Sequence, residues 1–293
     1  MSARRPLRVA FLGPVKSFSY AAARLRFGRR GVRYLPAPDI PRAVESVLDG
    51  EADVALVPIE NTTGGMIGDT LDSILNGPLA ERGVSILEEC HLDIQLALLG
   101  RAGGAIRRVY SHEVPLKHCR PWLLLHLPGV ALEKVSSTSR AVALAARRRD
   151  AAAVASPEAA RRSGLKILRC PLIPERPNRT SFYLLGRADR RPPSRPAKVA
   201  IALSLSHRPG SLYRALGVLA KHRLNMTRIE SRPLLGRPWE YVFFIEVEGR
   251  LGTAPVRAAL DRLRRQAHAV QVMGNYAVRH LAPSARRGGP AAP

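Results

Sequence analysis

Apolar residues in the first part of the chain come in short runs, LRVAFLG (7–13), VRYLPA (32–37) and ADVALVPIE (52–60). The stretches between them, SFSYAAARLRFG (17–28) and DIPRAVESVLDG (39–50), carry their apolar positions at helical spacing. Short run followed by helical repeat is the rhythm of β-α-β-α-β and of a largely parallel sheet. Helix ends carry their own marks: Asp39 as a cap, Pro41 in the first turn, Gly50 as the stop. A second set of units follows. Strands are expected in VSILEECHLDIQLALLG (84–100), RRVYSH (107–112), AAAVAS (151–156) and NRTSFYLLG (178–186), and helices in VPLKHCRPWLLLHL (114–127) and SRAVALAARRR (139–149). Two α/β lobes predict a cleft, with ligands at the carboxyl ends of strands near helix N-termini.

RADRRPPSRPA (187–197) mixes prolines with charges and has no apolar periodicity, so 188–197 reads as a linker. Beyond it the pattern changes. KVAIALSLS, GSLYRALGVLAKH, NMTRIESRP, WEYVFFIEVEG, TAPVRAALDRLRRQAH and VQVMGNYAV read in order as strand, helix, strand, strand, helix, strand. That is the βαββαβ order of a ferredoxin-like domain over 198–280. The tail 281–293 lacks core-forming residues and reads as disordered.

Composition narrows the class. At 293 residues and 46% apolar content the chain has enough material for real cores. The three cysteines, Cys90, Cys119 and Cys170, are widely spaced with no CxxC, which points to reduced core thiols, with no disulfide framework or zinc site. The N-terminal apolar run is too short for a secretion signal and meets Gly13-Pro14, and no window approaches a membrane span of roughly 18 residues, so a cytoplasmic protein is expected. The formal charge of +24 raises nucleic-acid binding. Its arginines, however, are spread over every segment and none alternates with aromatics as in a stacking platform, so a nucleic-acid partner is not expected.

Seven stretches then stand in series: FLGPVKSFSYAA (11–22), VPIENTTGG (57–65), VYSH (109–112), SSTSRA (136–141), NRTSFYLLG (178–186), RPGSLYRAL (208–216) and NMTRIESRPLLGRPWEYVFF (225–244). Together they resemble a monofunctional prephenate dehydratase with a C-terminal ACT regulatory domain. The resemblance implies an α/β fold with a two-lobed catalytic region over 6–187, like a type II periplasmic-binding protein, the second lobe (about 81–170) being inserted in the first. It implies decarboxylating dehydration of prephenate to phenylpyruvate, with feedback by phenylalanine at the ACT domain. Such a site must present a proton to a leaving ring hydroxyl and hold two carboxylates with cations, amides and small hydroxyls.

By the same resemblance Thr180 is the catalytic threonine, within a pattern that in the family reads Thr-Arg-Phe and here reads Thr180-Ser181-Phe182. Ser181 cannot supply the charge-assisted bonds of the missing arginine; Arg179, on the same strand face as Ser181 by alternation, is the candidate replacement. The family's Gly-Thr-Phe-Ser turn is here Lys16-Ser17-Phe18-Ser19, and an aligned histidine is Leu96. The implied substrate-binding set is Lys16, Ser17, Ser19, Glu60, Asn61, Thr62, Gly65, Ser111, His112, Ser137, Thr138 and Phe182. Several have plainer readings: Ser137 and Thr138 as helix caps, Asn61–Gly65 as a turn, His112 as a structural strand-end residue.

The effector set implied for phenylalanine is Gly210, Ser211, Leu212, Asn225, Glu230, Ser231, Arg232 and Pro233. Free N–H groups of Ser211 and Leu212 would receive its carboxylate and a turn at 230–233 would close over it. ACT sheets pair edge to edge, which implies a dimer or tetramer. No cofactor or metal is expected, because the redox state does not change and no ligand cluster stands out. Arogenate as substrate, a non-aromatising prephenate decarboxylase and a catalytically impaired phenylalanine-binding regulator remain the alternatives.

Overall fold

The computed structural model describes residues 5–15, 17–173, 178–187, 197–233 and 241–281. Lys16, the expected linker except Ala197, and the expected tail beyond Leu281 lie outside them. In chain order the elements begin with β1 (Leu7–Leu12), α1 (Phe18–Phe27), β2 (Val32–Ala37), α2 (Ile40–Leu48), β3 (Val54–Asn61), β4 (Gly65–Met66) and α3 (Gly68–Asn76). There follow β5 (Val84–Asp93), β6 (Ala97–Gly100), β7 (Arg108–Ser111), α4 (Glu113–His126), β8 (Ala131–Lys134), α5 (Thr138–Ala146), β9 (Ala151–Ala155), α6 (Ala160–Ser163), β10 (Lys166–Arg169) and β11 (Arg179–Arg187). The last part is β12 (Ala197–Ser204), α7 (Ser211–Lys221), β13 (Met226–Pro233), β14 (Tyr241–Gly249), α8 (Ala254–Arg264) and β15 (Ala269–Leu281).

These elements fold as two compact units. The first takes residues up to Glu60, Met66–Leu92 and Ser181 onward; the second takes Asn61–Gly65 and Asp93–Thr180. The longer segment of the second unit runs Asp93–Thr180, beside the expected insertion of about 81–170. It starts at the end of β5, which runs unbroken to Asp93.

In the first unit the strands form one sheet in the order β13-β14-β12-β15-β5-β11-β3-β1-β2, with β1 parallel to both β2 and β3. The βαββαβ part has the ferredoxin-like order, and its last strand, β15, pairs in parallel with β5 of the preceding α/β part, His280 opposite His91. Alternation along β14 decides what each face buries. Val242 and Phe244 face a core shared with Val57, Ile59 and Leu71, whereas Phe243, Ile245 and Val247 face α7 and α8.

The second unit has a five-stranded sheet, order β10-β6-β9-β7-β8, with β7 parallel to β8 and β9 and antiparallel pairing at β6. All of β9, AAAVA, is buried, and its small side chains pack with Ala141 and Ala145 of α5. α3, β8 and β10 are elements the hydrophobic pattern does not announce; β8 (ALEK) and β10 (KILR) have no fully buried residue and so no run to mark them. Cys90 and Cys119 are buried, but Cys170 is exposed, so it is not the core thiol expected.

Candidate functional site

The second unit centres a small neutral network on Asn61. Its Oδ1 accepts the backbone N–H groups of Thr63 (2.9 Å) and Gly64 (3.0 Å), an Asx turn that identifies the oxygen end of the amide. The Nδ2 end therefore points the other way, donating to Oγ1 of Thr180 at 2.9 Å and to Oδ1 of Asn178 at 2.8 Å. Thr62 locks the same two segments: its N–H donates to the Arg179 carbonyl at 3.0 Å, and its Oγ1 accepts the Arg179 N–H at 3.0 Å. Gly65 leaves the turn at φ +78°, in the left-handed region that favours glycine. The turn expected over Asn61–Gly65 is present, and it aims the Asn61 amide.

The consequence falls on Thr180, whose side chain is buried. A hydroxyl is one donor and two acceptors; with Asn61 donating to the oxygen, the Thr180 proton is directed to another acceptor. Beside it, Arg179 Nε donates to Asp93 Oδ1 at 2.7 Å, both side chains well exposed. Arg179 is thus held by a carboxylate. A pair this exposed is weak, about 0–1 kcal/mol, so an incoming anion competes on equal terms. Asn178 and Arg179, with Asp93, Gln95, Leu96 and His118, line a cavity of about 230 Å³. His118 is buried there, 3.0 Å from Thr63 Oγ1; nothing in the sequence pattern singled it out.

Other residues of the expected substrate-binding set make contacts within the fold. Ser137 caps α5, accepting the Arg140 N–H at 3.1 Å, and Thr138 is that helix's first residue. Ser17 caps α1, accepting from Tyr20 N–H at 3.1 Å and donating to the Leu12 carbonyl at 3.0 Å. Ser111 is fully buried and donates to the Val154 carbonyl at 2.7 Å. Ser19 is buried in α1. His112 sits at the start of α4 without a side-chain cap bond. Phe182 is 1% exposed, a core residue, because β11 is buried on both faces beyond Ser181. Ser181 itself is half-buried.

Glu60, in the first unit, enters a network of a different kind. Arg228 of β13 donates through Nη2 to Glu60 Oε2 at 2.6 Å and through Nη1 to Tyr183 Oη at 2.5 Å; Glu246 lies 3.4 Å and Glu89 3.8 Å away. Tyr183 and Tyr276 both donate to Glu246, and Lys198 donates to Glu89 at 2.6 Å. Burial works against the Arg228 charge, but Tyr183 and the carboxylates of Glu246, Glu89 and Glu60 outweigh it and raise its pKa. Burial, with Glu246 close by, raises both tyrosines, so they stay protonated donors. Burial alone would raise Glu89; its bond with His91 and the Lys198 charge bring it down to about 2.

A second cavity, about 340 Å³, lies on the helix-facing side of the βαββαβ sheet, lined by Arg208, Pro209, Ser211, Leu212, Tyr241 and Phe243 among others. Gly210 precedes α7 at φ +79°. The Ser211 N–H is not free as expected: it donates to the Arg208 carbonyl at 3.2 Å, closing the turn. Residues 230–233 are strand, paired with β14, not the expected turn. Ser231 and Pro233 stand opposite Phe243 and Tyr241 and share the cavity's face. Glu230 and Arg232 stand opposite Phe244 and Val242 and face the catalytic core, where Arg232 Nε lies 3.6 Å from Asp72. Asn225 does not line the cavity; its carbonyl accepts the Glu248 N–H at 2.9 Å. Among the described residues no group of three or more His, Cys, Asp or Glu is placed to hold a metal, and no helix is long and apolar enough to cross a membrane.

The model of the family "Prephenate dehydratase" matches residues 9–190, and that of the "ACT domain" matches 199–265. The prephenate dehydratase of Amycolatopsis methanolica is 37% identical over 279 residues, covering 92% of this chain and 88% of that protein. A solved prephenate dehydratase from Arthrobacter aurescens, in complex with L-Phe, superposes with a TM-score of 0.78 at 31% identity, covering 92% of this chain and 90% of that one. GqqA, described as a novel type of quorum quenching acylase, superposes with a TM-score of 0.77 at 30% identity over 92% of this chain and 97% of that one.

Proposed function

We propose that this chain, which belongs to the prephenate dehydratase family and carries an ACT domain, converts prephenate to phenylpyruvate with Thr180 as the proton donor. The observation that carries the reading is the Asn61 amide, oriented by its own turn and donating to Thr180 Oγ1. In the reaction the C–C bond to the ring carboxylate breaks and CO2 leaves. Its electron pair moves through the ring, and the C–O bond to the ring hydroxyl breaks. The departing oxygen takes the Thr180 proton and leaves as water, and solvent restores the threonine. One proton is consumed per dianion, and the products are phenylpyruvate monoanion, CO2 and water. Asn61 favours this step because its N–H supports the oxygen of Thr180 as the proton leaves. Arg179, exchanging Asp93 for a substrate carboxylate, supplies the charge that Ser181 lacks.

The cavity beside α7 is the effector site in this reading. The relative from Arthrobacter aurescens was solved with L-Phe, and Leu212, Tyr241 and Phe243 suit an aromatic side chain while Arg208 suits a carboxylate. Phenylalanine bound there lowers activity. The protein works in the cytoplasm as a dimer or tetramer, without nucleic acid.

The test is incubation of pure protein with prephenate, followed by ultraviolet spectra and product analysis. Phenylpyruvate is expected. A non-aromatic dihydro product would assign a decarboxylase, the reading that Ser181 in place of arginine favours; no turnover, with phenylalanine bound in calorimetry, would assign a regulator. An acyl-amide substrate is run beside it because of the likeness to GqqA.

A further inference from the structure

β13 has two faces with different duties. Ser231 and Pro233 stand opposite Phe243 and Tyr241 on the cavity face, while Arg228 and Arg232 project from the other face toward the catalytic region. There the two arginines meet first-unit residues that precede and follow the Asn61 turn in sequence. Arg228 bonds Glu60, the residue immediately before Asn61, and Arg232 lies against Asp72 of α3, which follows β4. The second contact is close because Gly68 has no side chain: a Cβ there would sit 2.9 Å from Arg232 Nη2.

We infer that Arg228 is a positioning residue for the reaction, setting Glu60 and hence the Asn61–Thr180 pair, and that β13 transmits effector occupancy to the catalytic site through this bond. The inference rests on the dehydratase reading above. Charge and burial single out the Arg228–Glu60 bond within its network. Three carboxylates, Glu60, Glu89 and Glu246, surround two basic side chains, Arg228 and Lys198. Glu89 and Glu246 have side chains 2% and 0% exposed and cannot lose their partners without a large desolvation cost. The Glu60 side chain is 42% exposed, so water can take it over when Arg228 shifts. It is the contact in the cage that breaks cheaply, which is what a two-position coupling element requires.

Arg228→Lys is the decisive variant, because lysine keeps a cation among Tyr183, Glu89 and Glu246 but cannot fork to Glu60 at the same time. Its side chain is on the face away from the cavity, so phenylalanine still binds in calorimetry, its affinity shifted by reciprocity to about the same extent as in the Glu60 variant below. The phenylalanine concentration for half-inhibition should rise about tenfold, and KM for prephenate should rise more than kcat falls. Inhibition equal to wild type overturns the inference. Glu60→Gln gives an independent reading that does not need turnover. By reciprocity it should change phenylalanine affinity by about threefold or more, although Glu60 is absent from the cavity lining; an unchanged dissociation constant overturns the inference as well. Wild-type protein that makes no phenylpyruvate fails at the dehydratase reading instead, and the two failures are told apart by that control.

Discussion

Glu60 and Asn61 are consecutive residues at the end of β3, and each anchors a polar network. The network of Asn61 is neutral and local: one amide, two hydroxyls, a second amide and turn N–H groups, with Asn61 donating to Thr180, so that in the proposed reading the Thr180 proton is kept for the substrate. The network of Glu60 is ionic, drawn from β3, β5, β11, β12, β13, β14 and β15, and saturated: Tyr183, Tyr276, Lys198 and Arg228 all aim donors at carboxylates. Catalysis requires a donor kept in reserve, whereas a structural joint requires none left over. Charge follows the same division. A neutral turn can meet a dianion without adding a base, while the ionic cage belongs where strands from distant parts of the chain must be held in one register.

Four variants break or sharpen this contrast. Thr180→Ala removes the reserved donor, and turnover should fall by about two to four orders of magnitude in steady-state kinetics with the melting temperature little changed. Glu89→Gln strikes the saturated network instead and should cost roughly 3 kcal/mol in denaturant unfolding at neutral pH, since it leaves buried cations undercompensated. The pH dependence has a defined sign. The Glu89 pKa is lowered from 4.5 to about 2 in the folded protein, so its contribution is present above about pH 4.5 and is lost as pH falls toward about 2. The variant should show a flatter loss across that window than wild type. Asn61→Asp turns the supporting donor into an acceptor that competes for the Thr180 proton; kcat should fall about 10- to 100-fold, with partial recovery at acid pH where the new carboxyl can donate. Asp93→Asn is the mildest. It should alter stability by no more than about 1 kcal/mol while lowering KM, because Arg179 is released to the substrate.

Much of this was legible in the sequence because it depends on period and on local chemistry. Short apolar runs marked most strands of both sheets, though not β8 and β10; Asp39 was a readable cap, and its side chain does accept the Arg42 N–H at 2.8 Å. The Asn61–Thr180 pair was legible only through resemblance, since no spacing rule connects residues 119 positions apart. Some expected site residues carry contacts within the fold, for physical reasons. Ser17 and Ser137 have the same signature whether they cap a helix or hold a ligand. Phe182 looks accessible beside Thr180, yet its strand is buried on both faces. Arg228 gave no usable signal alone, because a charged residue in a strand ordinarily marks the solvent face. The usable signal lay in combination: Lys198, Arg228 and Glu246 stand in three successive strands, and these opposite charges pair with one another and with Glu60 and Glu89.

The parallel pairing of β15 with β5 has an evolutionary consequence. A regulatory domain joined only by a linker is portable: it can be cut away or exchanged for a domain with another effector at little cost to its host. Here removal of residues 197–281 would bare the β5 edge, an open template for association with other chains, and would strip Lys198, Arg228 and Arg279 from Glu89, Glu60 and Glu88, and Glu246 from Tyr183. Sensor and enzyme have become a single inheritance. New effector specificity must then arise by changes on the outer face of the borrowed strands, while the inner face is constrained to keep its charges in place.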